Sequence, residues 1–179
     1  MSMLGISFLN EIVIKSHNLY PDEVLNNLRE SIIKSLKQTG HVGEARDGMD
    51  VSMISFDKDL RSITFTGANN PLYMIRDNQL SEIKGDKMPV GIYEKMTPFT
   101  RHTFEIKKGD TFYIFSDGYA DQFGGPKSKK FMYANFKKLL LSLTDKPMLE
   151  QGKILDETIM SWQGSLEQVD DIVVIGIRF

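Results

Sequence analysis

Asp117 closes the apolar run TFYIFSD, and Asp170-Asp171 opens DDIVVIGIRF. An acid at the end of a buried strand either turns the chain out into solvent, as Asp-Gly commonly does, or holds a cation. Two central strands that bring such ends together would offer hard oxygen ligands of the kind taken by Mg²⁺ or Mn²⁺. Asp47-Gly48-Met49-Asp50, just ahead of a strand, is a third acid cluster and reads as a polar turn or a further ligand. Beyond Asp117 come Gly124-Gly125 and then Lys127, Lys129 and Lys130, which either steer a phosphate or form a solvated basic face.

Other chemistries lack their residues. There is no GxxxxGK[ST] phosphate loop, no HExxH and no GxSxG elbow, and the three histidines, His17, His41 and His102, are scattered. They read as surface or satisfied polar groups rather than metal ligands. With no cysteine, disulfides, thiolate metal sites and a cysteine nucleophile are excluded, and a reducing compartment, the cytoplasm by default, is expected.

The elements that must position the acids follow from periodicity. Leu4, Phe8, Leu9, Ile12 and Val13 recur at helical spacing from Met3 to about Ser16. Pro21 suits the first turn of a second helix, lined by Leu25, Leu28, Ile32 and Leu36 and ended at Gly40. Short strands are expected over 51–57, 61–66, 72–76, 79–83, 99–106 and 111–116, with a Gly- and Pro-punctuated loop over 84–98. Helices over 131–143 and 149–162 follow, the latter from Leu155, Ile159 and Trp162. The last strand, 172–178, is almost wholly apolar and is therefore expected to be central. This order predicts an α+β layered sandwich, mostly antiparallel.

At 179 residues, with 41% hydrophobic and 26% charged content, the chain suits a single globular domain over 1–179. Its net charge of −2 gives no field that would gather nucleic acid, and no stretch has the length of a membrane span or the basic start of a signal peptide.

The segments DGMDVSMISFD, TGANNPLYMIR, KMPVGIY, KKGDTFYIFSDGYADQFGGPKSKKF and QVDDIVVI together resemble, in this order, the SpoIIE-like branch of the PPM-type metal-dependent serine/threonine phosphatases. The opening SMLGISFLNEIV is similar to the helix that follows the family's first metal-binding turn. The resemblance implies an α-β-β-α sandwich carrying a binuclear Mn²⁺ or Mg²⁺ centre, at which a metal-held water attacks phosphoserine or phosphothreonine in line. It assigns Asp117 and Asp170 to the family's C-terminal metal aspartates, Gly118 to the tight turn, and Asp171 to orienting Asp170. Asp47 corresponds to the acid that holds a weaker third metal in relatives.

The family's remaining ligands, an aspartate on an early strand and that of an Asp-x-x-Gly-His-Gly turn, would precede the helix that opens this sequence. The resemblance therefore implies a domain lacking its N-terminal strands, with an incomplete metal centre and open sheet edges that favour a homodimer. The expected substrate is a phosphorylated protein, such as an anti-sigma factor antagonist in partner-switching signalling. The alternative is a non-catalytic regulatory module that keeps the phosphatase fold, and a nucleotide-binding use of GGPKSKK has little behind it.

Overall fold

The computed structural model describes residues 2–15, 20–40 and 47–179, so the expectations placed on Ser16, His17 and His41 lie outside the described residues. The chain forms two compact units, one of Met1–Pro71 with Lys84–Ile106 and the other of Leu72–Ile83 with Lys107–Phe179.

In the first unit, α1 (Ser2–Lys15) and α2 (Pro21–Ser35) accompany an antiparallel sheet of β1 (Val51–Phe56), β2 (Ser62–Ala68) and β5 (His102–Glu105), in the order β1-β2-β5. Pro21 opens α2, and Glu23 accepts a hydrogen bond from the Tyr20 N–H at 2.8 Å, satisfying a donor that the helix itself leaves free. Val24, Leu25, Leu28 and Ile32 are buried on it, and Leu25, Leu28 and Ile32 share a core with Ala68, Met88, Val90 and Phe99. The helix stops a turn before Gly40, where the sequence pattern places its end. Lys37, at φ 50°, takes the left-handed position, and Gln38 N–H donates to Ile33 O while Lys37 N–H donates to Lys34 O. This paired closure satisfies the last carbonyls without a glycine. His102 stacks on Phe65, with ring centroids 6.0 Å apart.

The second unit is built on an antiparallel sheet of β3 (Leu72–Arg76), β4 (Gln79–Ile83), β6 (Thr111–Phe115) and β9 (Val174–Arg178), in the order β4-β3-β6-β9. The last strand is thus at an edge, not central as its apolar run suggests. Among the described residues it pairs with β6 alone, and Val173 and Ile175 are 51% and 48% exposed. Three helices, α3 (Gly118–Asp121), α4 (Tyr133–Ser142) and α5 (Met148–Gln163), complete the unit with a short hairpin of β7 (Phe123–Gly124) and β8 (Lys129–Lys130). Tyr73, Phe115, Tyr119, Phe131 and Phe136 form its aromatic core with Leu140, Leu155 and Ile159. Phe115 meets Phe136 edge-on at 5.1 Å, and Tyr119 stacks on Phe136 at 4.6 Å. Each such ring pair contributes about 0.5–1.5 kcal/mol beyond burial.

Gly152 lies inside α5 with nothing within 4 Å of where a Cβ would stand. Gly152→Ala is therefore expected to raise stability by about 1 kcal/mol, since alanine restricts the unfolded chain and favours the helix. A chemical denaturation midpoint that fails to rise would contradict this.

Candidate functional site

The residues flanking Asp117 are fixed from both sides. Phe115 and Tyr119 enter the aromatic core, leaving Ser116 and Asp117 to turn the chain from β6 into α3, which Gly118 opens. Asp117 has ordinary helical backbone angles (φ −68°, ψ −19°), and its carbonyl accepts the Asp121 N–H at 3.0 Å. Its side chain is exposed on a backbone that cannot drift. Tyr119, whose hydroxyl donates to Leu155 O at 2.7 Å, has its pKa pushed up by burial and so stays a donor.

The turn touches the second acid segment directly. A Cβ on Gly118 would stand 2.4 Å from the Asp171 carbonyl oxygen and 2.9 Å from its carbon. Only glycine allows that approach, so Gly118 serves as a contact point for the Asp170-Asp171 backbone as well as a turn residue. Ser116 Oγ donates to Asp171 O at 2.7 Å and accepts the Val173 N–H at 2.9 Å, while Ser116 N–H donates to Val173 O at 3.0 Å. The last strand starts at Val174 and not at Ile172, because the Val173 N–H is taken by the Ser116 hydroxyl in place of a ladder carbonyl.

Asp170 and Asp171 are exposed, and Asp171 N–H donates to Asp170 Oδ1 at 2.7 Å, which orients the Asp170 carboxylate. Asp117, Gly118, Asp170 and Asp171 are therefore brought to one edge of the second unit. Among the described residues, no three His, Cys, Asp or Glu side chains form a group that could hold a metal ion. Asp47 belongs to the first unit. Its side chain is exposed, and its carbonyl accepts from Gln38 Nε2 at 2.7 Å.

The lysine run rides on the β7–β8 hairpin. Lys130 is paired with Asp121 at 2.8 Å, leaving Lys127 and Lys129 as the exposed cations of the run without an ion pair among the described residues. Gly124 and Gly125 exist for Trp162. A Cβ on Gly124 would lie 1.9 Å from the Trp162 carbonyl oxygen, and one on Gly125 2.6 Å from its ring. Gly125 N–H donates to that carbonyl at 2.7 Å, and the indole N–H donates to Gln122 O at 3.1 Å. Sequence reasoning treats Trp162 as core and misses Ser116 altogether. A serine between a strand and an aspartate gives no pattern that marks it as a bridge.

A family model described as Stage II sporulation protein E (SpoIIE) matches residues 1–179. The chain belongs to the SpoIIE family. Solved structures extend the likeness to the fold. The SiaA-PP2C domain of Pseudomonas aeruginosa matches with a TM-score of 0.85 at 24% identity, covering 99% of this chain and 68% of that one. The phosphatase domain of SpoIIE from Bacillus subtilis, presoaked with Mn, gives 0.59 at 17% identity, covering 97% of this chain and 72% of that one. MsPP, a PPM Ser-Thr phosphatase from Mycobacterium smegmatis in complex with cacodylate, gives 0.60 at 13% identity, covering 99% and 81%. No curated protein matches the sequence. This SpoIIE-family chain thus has the α+β fold of the PPM-type phosphatases, with antiparallel sheets, and family and fold together support a hydrolase. No helix among the described residues is long and apolar enough to cross a membrane.

Proposed function

We propose that the edge formed by Asp117 and Asp170 is one side of a Mn²⁺- or Mg²⁺-dependent phosphatase centre that acts on phosphoserine or phosphothreonine in a protein substrate of a cytoplasmic signalling pathway. The observation that carries this reading is the close approach of Gly118 to Asp171, which sets the turn bearing Asp117 against the segment bearing Asp170.

The donor set fits the group in kind, since two exposed aspartates offer the hard oxygens that Mn²⁺ and Mg²⁺ prefer. It fits in number only for one side. The sequence holds no Asp-x-x-Gly-His-Gly turn, and two carboxylates give limited charge and chelation. When bound, such a metal pair supplies a water of lowered pKa and neutralises phosphoryl oxygens. This chain's own parts are then simple. Asp117 and Asp170 hold the cation, Asp171 orients Asp170 through its N–H, and Ser116 fixes the Asp171 carbonyl. Lys127 and Lys129 would draw a phosphorylated segment toward this edge. Among the described residues β1 and β9 are outer strands, which suits association with a second copy.

The scarcity of ligands favours a second reading, a regulatory module that keeps the fold without the chemistry. Titrating the chain with Mn²⁺ while following p-nitrophenyl phosphate hydrolysis separates the two, with Asp117→Asn as control. Metal-dependent turnover that disappears in Asp117→Asn supports the enzyme and would sink the module, whereas metal binding without turnover fits both a centre with one side present and the module. Absence of any Asp117-dependent Mn²⁺ binding would sink the metal reading itself.

A further inference from the structure

We infer that Gln122 is a positioning residue for this edge: its buried side-chain amide braces the Asp170-Asp171 segment against the turn that carries Asp117. The role of the two acids as ligands rests on the reading above, whereas the bracing stands on contacts described here.

Residues 164–171 are all exposed, including Leu166 and Val169 at 39% and 54%. A segment that buries no side chain fully has little hydrophobic contribution to hold its position, so polar contacts carry more of that task. Ser116 holds its C-terminal end through Asp171 O and Val173 N–H. Gln122, 0% exposed, holds the other. Its Nε2 donates to Glu167 O at 3.0 Å and to Phe123 O at 3.1 Å, and its Oε1 accepts the Val169 N–H at 3.4 Å.

Its backbone is equally engaged. Gln122 N–H donates to Gly118 O at 3.0 Å, and its carbonyl accepts Phe131 N–H at 2.9 Å and the Trp162 indole N–H at 3.1 Å. The residue is therefore tied to the Asp117 turn at one end and to the acid segment at the other. A carboxylate could not donate to the two carbonyls, and an aliphatic side chain would leave them without this donor. Gln122 touches neither acid, so it acts through the Glu167–Val169 backbone.

The test uses Gln122→Met, which keeps the volume and removes the amide. Amide exchange at Val169 and Val173 is followed by NMR in metal-free protein, along with the melting temperature. Exchange is expected to quicken about tenfold at Val169 and less at Val173, which retains Ser116. Mn²⁺-induced broadening of the Gly118 and Asp171 amides is expected to need about tenfold more metal than in the wild type. A packing role alone would leave all of these unmoved in the methionine variant.

The wild-type chain gives a second measurement that survives a variant that does not fold. The Gln122 side-chain amide protons are expected to exchange about tenfold more slowly than those of exposed Gln79. Unchanged exchange at Val169 in a folded Gln122→Met, or fast exchange of the wild-type Gln122 amide, overturns the bracing. Wild-type Gly118 and Asp171 amides indifferent to Mn²⁺ would overturn the ligand role of the acids instead, and the exchange data would still judge the brace.

Discussion

Gly118→Ala is expected to destabilise the protein by about 3 kcal/mol, because the added methyl group would meet backbone and not a yielding side chain. Its nearest neighbours would be Asp171 O at 2.4 Å and Asp171 C at 2.9 Å. That carbonyl cannot simply retreat, since it accepts Ser116 Oγ at 2.7 Å, and the same hydroxyl holds Val173 N–H. The turn is no freer, with Tyr119 buried beside it against Phe136. Either the serine bridge breaks or α3 shifts in the aromatic core. For a chain of this size the loss corresponds to a fall in melting temperature of roughly 6–12 °C. Separation of the turn from the Asp170 segment should also weaken Mn²⁺ binding out of proportion to the loss of stability. Gly152→Ala is the matched control, since the same substitution in open space is expected to stabilise. A Gly118→Ala protein as stable as the wild type would mean that the two segments are not held in contact.

Asp110→Ala is expected to cost about 3 kcal/mol, the lower end for removing one partner of a buried ion pair. The Asp110 side chain is 1% exposed, and its carboxylate takes Arg76 in a two-pronged contact, with Nε to Oδ1 at 2.8 Å and Nη2 to Oδ2 at 2.5 Å. It also accepts Lys107 N–H at 2.8 Å. The lower figure follows because Arg76, 27% exposed, keeps some access to water once its partner is gone. Burial by itself would raise the carboxyl pKa, but the Arg76 hydrogen bonds, the Lys107 N–H and the two positive charges together bring it below its usual value.

The sign of the pH dependence follows. A folded-state pKa below the unfolded one means that Asp110 adds its full stability above the ordinary aspartate value of 3.8 and loses it as pH falls through the lower folded value. Unfolding free energy measured from pH 6 to pH 2 should therefore fall less steeply in Asp110→Ala than in the wild type, at about the acid end of the aspartate range. Parallel acid limbs for the two proteins would show that Asp110 is not the group responsible.

What could be read before the structure divides along the range of the interactions. The run TFYIF and the acid after it are legible because alternation, a turn dipeptide and strand length are local properties. The same holds for the face of α5 that buries Leu155 and Ile159. The edge position of β9 is not local. Apolar content says that IVVIGI seeks cover, but which neighbours a strand receives depends on the order of the whole sheet. The end of α2 falls ahead of Gly40 for a different reason, since Lys37 takes the left-handed conformation for which glycine is the usual signal. At the candidate site, Asp117 and Asp170 were marked as candidates only, by their positions at strand ends and by the order of the motifs. Ser116 and Gln122 were not, because a hydroxyl or an amide that joins residues about fifty positions apart leaves no spacing to detect.

The anchoring of the β7–β8 hairpin on Trp162 bears on how its lysines would meet an anion. Lysines on a free loop must give up backbone freedom when they close on a phosphate, about 1–2 kcal/mol for each residue ordered. Here the ordering accompanies folding, because Gly124 and Gly125 are seated on Trp162 and Lys130 is held by Asp121. Lys127 and Lys129 therefore present their charge on a preset frame. Only side-chain motion is left to lose on contact, so the entropic cost of capturing an anion is confined to two rotamer-rich arms.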